Sequence, residues 1–199
     1  LFLSEGDSAG GVMIPTRDVT TQAIFALKGK PLNCHGLKRD AIYKNEELFN
    51  LMMALGIEDS VENLRFSKVV IATDADHDGF HIRNLLLTFF LNYFEELVVA
   101  GHVYILETPL FRVRNGKSTH YCYSNKERDT VLDKMRNPEV TRFKGLGEIS
   151  PNEFGQFIGE DIKLIKVNIK STAGIADTLG FYMGKNTPER RDYILENLI

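Results

Sequence analysis

Three carboxylates on alternate residues stand out chemically: Asp74, Asp76 and Asp78, in the run Asp74-Ala75-Asp76-His77-Asp78-Gly79. They follow Lys68-Val69-Val70-Ile71-Ala72-Thr73, an apolar stretch that predicts a buried strand. They precede Phe80 to Ala100, which predicts one long helix. Negative charge is therefore crowded at the carboxyl end of a strand. Two unit charges about 4 Å apart repel by roughly 4 kcal/mol at an effective dielectric near 20. A cation relieves that repulsion, and oxygen-only ligands suit a hard ion, Mg²⁺ before Zn²⁺. The plainer reading is a solvated turn or helix-capping aspartates.

A second acidic element opens the chain. Leu1-Phe2-Leu3 predicts a short buried strand running into Ser4-Glu5-Gly6-Asp7-Ser8-Ala9-Gly10-Gly11, which puts Glu5 at its carboxyl end. Gly6 permits a sharp turn, and Asp7 or Ser8 can cap a following helix. Glycines in such a turn also let backbone amides approach a phosphate. Strands separated by helices favour an α/β fold with a mostly parallel sheet. In such sheets ligands gather at the carboxyl ends of the strands. If the two strands are neighbours, Glu5, Asp74 and Asp76 converge on one cation site, with Asp78 at its border. That arrangement suits metal-assisted phosphoryl chemistry on a polyanion.

Positive charge lies close to these elements in sequence. After a predicted strand at Ala23–Leu27, Lys28-Gly29-Lys30-Pro31-Leu32-Asn33 forms a cationic turn suited to clamping a phosphate backbone. A solvated loop is the alternative. His81 and Arg83 are expected in the first turn of the long helix, where cations oppose the helix dipole and imply an anion nearby.

The remaining elements are framework. Asn45 is a predicted cap for a helix whose Leu48, Leu51, Met52, Met53 and Leu55 are assigned to the core, and Gly56 is its stop. Gly101 ends the long helix, and His102–Glu107 follows as a strand. Leu110–Arg114 and Ser118–Tyr123 flank Asn115-Gly116 as a hairpin, with Arg112, Arg114 and Lys117 making one side basic. A polar helix is expected over Asn125–Arg136. From Glu139 the composition shifts to a small second α/β unit, with strands at 140–143 and 164–169 and helices from Pro151, at 177–183 and from Thr187 through Leu198. The expected division is 1–114, then a hairpin-and-helix connector at 115–138, then a tail at 139–199.

Composition sets limits on these readings. The chain has 199 residues, 43% hydrophobic and 26% charged, an ordinary globular balance. A net charge of −3 gives no whole-protein signal for a polyanion, so any nucleic-acid contact must come from local patches. Cys34 and Cys122 are expected as reduced thiols of a cytoplasmic protein, and with His35 and His120 they match no standard zinc spacing. Arg83, Asn84, Asn92, Glu95 and Glu96 argue against a membrane span in the long helix. The start at Leu-Phe-Leu reads as that of an excised fragment.

Three other chemistries share parts of the acidic pattern. An EF-hand needs a glutamate at loop position twelve, where Leu85 stands, and a helix before the loop. A phosphatase of the haloacid-dehalogenase type would make Asp74 a nucleophile and would need no Glu5. A non-catalytic structural metal site is the third.

The motifs taken together resemble one family. Glu5-Gly6-Asp7-Ser8-Ala9-Gly10-Gly11 and Asp74-Ala75-Asp76-His77-Asp78-Gly79-Phe80-His81-Ile82-Arg83 closely resemble the Toprim domain of type IIA DNA topoisomerases. Leu27–Asn33, Arg142-Phe143-Lys144-Gly145-Leu146-Gly147-Glu148 and Pro188-Glu189-Arg190-Arg191 are similar to the same family's bacterial B subunits, of gyrase or topoisomerase IV. Lys30-Pro31-Leu32-Asn33 leans towards the topoisomerase IV variant. The resemblance implies a Rossmann-like Toprim sheet. It implies Glu5 as general acid/base and metal ligand, with Asp74 and Asp76 holding Mg²⁺ and Asp78 supporting. Mn²⁺ or Ca²⁺ would substitute. It implies Lys28, Lys30, Asn33, His81 and Arg83 along duplex DNA. The nucleophilic tyrosine would come from an A subunit in an A2B2 assembly, and ATP would bind only in a domain upstream of this segment.

Overall fold

The computed structural model describes residues 1–116, 118–169 and 172–197. Its centre is a five-stranded sheet in the order β2-β1-β3-β4-β8. Strands β1 (Phe2–Ser4), β2 (Ile24–Ala26), β3 (Val69–Ala72) and β4 (Val103–Leu106) run parallel, and β8 (Leu164–Lys166) closes the edge antiparallel to β4. Helices α1 (Gly6–Met13), α2 (Arg39–Lys44), α3 (Glu46–Leu55), α4 (His77–Tyr93) and α5 (Glu95–Val99) fall between the parallel strands.

Side chains on successive strand residues point to opposite faces, so a sheet covered on both sides needs apolar residues at every position. Both faces here are buried. Leu1, Leu3, Val69, Ile71 and Val103 pack into a large cluster with Leu48, Leu51, Met52 and Leu55 of α3 and Ile82, Leu86, Phe89 and Phe90 of α4. The alternate residues Phe2, Val70, Ala72 and Leu106 join Ala9, Val12 and Met13 of α1 on the other face. Each fully buried Leu or Phe stabilises by roughly 1.5–3 kcal/mol relative to exposure. Asn45 caps α3 by accepting the Leu48 N–H at 3.0 Å, and Gly56 ends it in the left-handed conformation, both as the sequence predicts.

The antiparallel hairpin of β5 (Phe111–Asn115) and β6 (Ser118–Cys122) joins β7 (Glu139–Arg142) in a second sheet, backed by α6 (Asn125–Leu132). Helix α7 (Pro151–Ile158) returns to the main sheet, placing Phe154, Phe157 and Ile158 beside α1. The chain continues through α8 (Ile175–Met183) and α9 (Thr187–Glu196). The segment after residue 138 thus contributes β7 to the small sheet and β8 to the large one.

Several local expectations are corrected. The predicted long helix is two helices, broken at Phe94, whose φ of −141° and ψ of 44° leave the helical region. The Phe94 ring is buried, 5.3 Å from that of Phe89, so core packing fixes the break. Helix α4 begins at His77, because Asp76 caps it, so His81 and Arg83 lie in its second turn and not its first. Neither Asp7 nor Ser8 caps α1, which starts at Gly6 with Glu5 in the cap position. Met53 is 41% exposed, whereas Met52 is buried as expected. The hairpin's arginines are not a free basic face: Arg112 pairs with Glu153 at 2.7 Å and Arg114 with Glu139 at 3.1 Å. The polar helix ends at Leu132. Lys117 and Leu198 lie outside the described residues.

Candidate functional site

The carboxyl ends of β1 and β3 are adjacent, with Ser4 opposite Ala72 in parallel register. Each strand ends in an acid within two residues, so the two carboxylates are forced to one rim. Gly6, at a φ of +71°, turns the chain out of β1 into α1. Glu5 does not cap that helix with its side chain. Its Oε2 instead accepts the backbone N–H of Asp74 at 3.2 Å. The neighbouring strands that the sequence argument required are therefore present.

Each aspartate of the acidic run has a different partner. Asp74 Oδ1 accepts the Leu146 N–H at 2.7 Å, from the loop after β7. Asp76 Oδ1 accepts the Gly79 N–H at 2.8 Å and so caps α4. Asp78 Oδ1 accepts from Lys30 Nζ at 2.7 Å, in a pair whose side chains are 49% and 66% exposed.

The electrostatics follow these surroundings. Burial holds the Glu5 carboxyl above its ordinary value. The Asp74 amide partly offsets this, and the charges of Asp74, Asp76 and Asp78 add to it. Burial likewise raises Asp74 against its bond from Leu146, and Asp76 and Glu148 push it further. The hydrogen bond and charge of Lys30 lower Asp78. Repelling, desolvated carboxylates gathered at one rim form an all-oxygen donor set, and their chemistry fits a hard divalent cation. Among the described residues, no three acidic, histidine or cysteine side chains already surround a common point at ligating distance.

Of the residues expected along DNA, Lys30 reaches the rim directly, through its bond to Asp78. Lys28 is exposed, with Nζ 3.7 Å from Glu46, and Asn33 donates to the Met183 carbonyl at 2.9 Å. His81 is exposed on α4, three residues beyond Asp78. Arg83 stacks 5.0 Å from the centre of the Phe80 ring, and its buried Nε has no hydrogen-bond partner. Burial lowers its pKa. A desolvated guanidinium nitrogen without a partner is costly, and an anion would compensate it.

Arg142–Glu148 carries a family likeness in sequence, but its residue types alone point to no role. The structure brings this loop against Asp74. The signal available was its pair of glycines around one apolar residue, Gly145-Leu146-Gly147. Cys34 and Cys122 are both free and buried. The EF-hand reading fails because a strand, β3, precedes the acidic run. No helix among the described residues is long and apolar enough to cross a membrane.

Comparison with known proteins places this chain in a family. Residues 1–108 match the Toprim domain. The chain is 65% identical over 201 residues to the DNA topoisomerase 4 B subunit of Borreliella burgdorferi, covering all of this chain and 34% of that protein. It is 39% identical over 207 residues to the DNA gyrase B subunit of Clostridium acetobutylicum, covering 99% of this chain and 32% of that protein. The crystal structure of the Plasmodium falciparum topoisomerase II DNA-binding, cleavage and re-ligation domain superposes with a TM-score of 0.83. The identity is 25%, covering 100% of this chain and 29% of that one. The chain belongs to the Toprim family. It spans about a third of the length of the curated relatives it matches.

Proposed function

We propose that this chain is the DNA-cleavage part of an ATP-dependent type IIA DNA topoisomerase B subunit. The observation that carries the reading is the Glu5 carboxylate against the Asp74 amide at the carboxyl rim of a Toprim sheet. Similarity along the whole chain to topoisomerase 4 and gyrase B subunits supports it. Duplex DNA is the substrate, and an A subunit in an A2B2 assembly supplies the tyrosine that forms the transient link to the broken strand. ATP binds in a domain upstream, and the enzyme passes one duplex through a break in another. It works in the cytoplasm.

Glu5, Asp74 and Asp76 hold Mg²⁺, with Asp78 supporting, and Mn²⁺ or Ca²⁺ can take its place. When bound, the divalent cation supplies charge stabilisation to the oxygens of the scissile phosphate. Glu5 moves a proton at that phosphate, a role its raised pKa supports. Lys28, Lys30, Asn33, His81 and Arg83 line the DNA backbone, and the unpartnered Nε of Arg83 supports a phosphate contact there. Metal and cleavage chemistry belong to residues 1–114, with a connector at 115–138 and a tail at 139–199 that β7 and β8 tie into both sheets.

The deciding experiment is Glu5→Gln in an assembly with the A subunit. Cleavage should fall by about 10²- to 10⁴-fold while DNA affinity holds, because an amide cannot shuttle a proton. Equal loss of cleavage and DNA binding would assign Glu5 a structural role and overturn the reading.

A further inference from the structure

Asp74 is fenced by two glycines whose backbones do not need glycine. Neither Gly79 nor Gly145 lies in the left-handed region. Gly145 has a φ of −140° and a ψ of 160°, extended backbone open to any residue. What glycine supplies at both positions is space. A Cβ on Gly79 would collide with the Asp74 carbonyl oxygen. A Cβ on Gly145 would stand 2.5 Å from Asp74 Oδ2 and 3.0 Å from its Cγ. Real Cβ atoms essentially never come as close as the 2.5 Å to Oδ2, so the Asp74 carboxylate, the free end of its side chain, would have to turn away.

The loop that carries Gly145 is itself held firmly. Phe143 N–H donates to the Leu110 carbonyl at 2.9 Å, which extends the pairing of β7 with β5. Leu146 is 2% exposed and packs with Phe143 and Ile149, so its amide cannot drift from Asp74. Glu148 accepts the Lys144 N–H at 2.8 Å and closes the loop on itself. Only about 10 Å³ of crevice remains among Ala75, Gly145, Leu146 and their neighbours. That is about the room of one water.

We infer that Gly145 is a positioning residue for Asp74: with the Leu146 amide it fixes the carboxylate orientation on which the rim's affinity for a divalent cation depends. The inference rests on the metal reading above and adds a determinant to it. Gly145 has no side chain to offer as a ligand. It acts by leaving room for one orientation, and the second sheet, through β7, sets where that room lies.

Mn²⁺ titration of the full-length, nucleotide-free protein, followed by electron paramagnetic resonance, tests this apart from activity. Gly145→Ala should weaken Mn²⁺ binding by about 10- to 100-fold, the usual range for disturbing a group that orients a ligand. Gly147→Ala is the control in the same loop. The nearest atoms its Cβ would meet belong to Ser8, at an ordinary 3.5 Å or more, and Mn²⁺ binding should not change. In an Asp74→Ala background, Gly145→Ala should cost nothing further, because the colliding carboxylate is gone. If Gly145→Ala alone fails to fold, the double variant should fold as Asp74→Ala does. A double variant that also fails to fold overturns the inference, as does parent-like Mn²⁺ binding by Gly145→Ala or an equal loss in Gly147→Ala. A parent protein that binds no Mn²⁺ overturns the metal reading and this inference with it.

Discussion

Asp74 and Asp78 belong to one short acidic run, yet they meet opposite environments. Asp74 ends a buried strand, is partly desolvated, and receives a backbone amide. Asp78 lies in the first turn of α4, faces solvent, and receives a lysine. Burial dominates the first and raises its pKa, whereas Lys30 dominates the second and lowers it. The difference shows how a sheet rim sorts like residues into unlike environments. A carboxylate held by a rigid amide has a fixed position, while one held by an exposed lysine can exchange its partner at little cost.

The largest expected effect sharpens that contrast. Asp74→Asn should lower DNA cleavage in the assembled enzyme by about 10²-fold or more, since it removes a preorganised charge from the rim. Asp78→Asn should cost far less. Equal losses measured in a cleavage assay would erase the distinction between inner and outer carboxylates.

Two ion pairs extend the same comparison to stability. Arg112 and Glu153 are 17% and 24% exposed, and Tyr121 and Ser150 also donate to that carboxylate, tying the small sheet to α7. Glu153→Gln should cost about 2 kcal/mol in denaturant unfolding, a usual figure for hydrogen bonds to a charged group. Burial pushes the Glu153 carboxyl up, but the bonds from Arg112, Ser150 and Tyr121 outweigh it and hold it below 4.5. Its contribution is therefore present above that pH and fades as pH falls through the lower folded value. Replacing Asp78, whose pair with Lys30 is exposed, should lower stability far less, because solvent screens the pair.

Melting of the metal-free protein against pH should separate the two aspartates by sign. Asp74 ionises less readily folded than unfolded, so its charge penalises the folded state once pH rises above 3.8 and through its raised folded value. Asp74→Asn should therefore raise the melting temperature near neutral pH and have no effect below 3.8. The amide still offers an oxygen to Leu146. Asp78 has the opposite shift: its stabilising contribution is present above 3.8 and is lost as pH falls through its lowered value. A melting temperature that falls for Asp74→Asn at neutral pH would refute this account of the inner rim.

The smallest effect concerns the cations on the flank. Lys28→Ala and Lys30→Ala should each reduce the slope of log affinity against log salt by about 0.9, the value of one phosphate contact on duplex DNA. An unchanged slope would make both lysines bland surface charges.

Much of this rim was legible in residue order. Unbroken apolar runs at 1–3 and 69–72 require strands buried on both faces, and acids immediately after them must lie at the carboxyl edge. Asn45 and Gly56 marked the ends of α3 because caps are local hydrogen-bond and φ requirements. Local rules could not see the break at Phe94, where packing against Phe89 overrides helical periodicity. Nor could they foresee that Arg112 is consumed by Glu153, a partner 41 residues away.

The sequence by itself determined which residues carry charge, which segments must be covered, and that two acids would each follow a buried strand. Only the tertiary structure decided what each acid touches. Leu146 donates to Asp74 across 72 residues, and Gly145 matters for a side chain that is absent. Contacts of that kind depend on where β7 is pinned by β5, and no spacing along the chain encodes that distance.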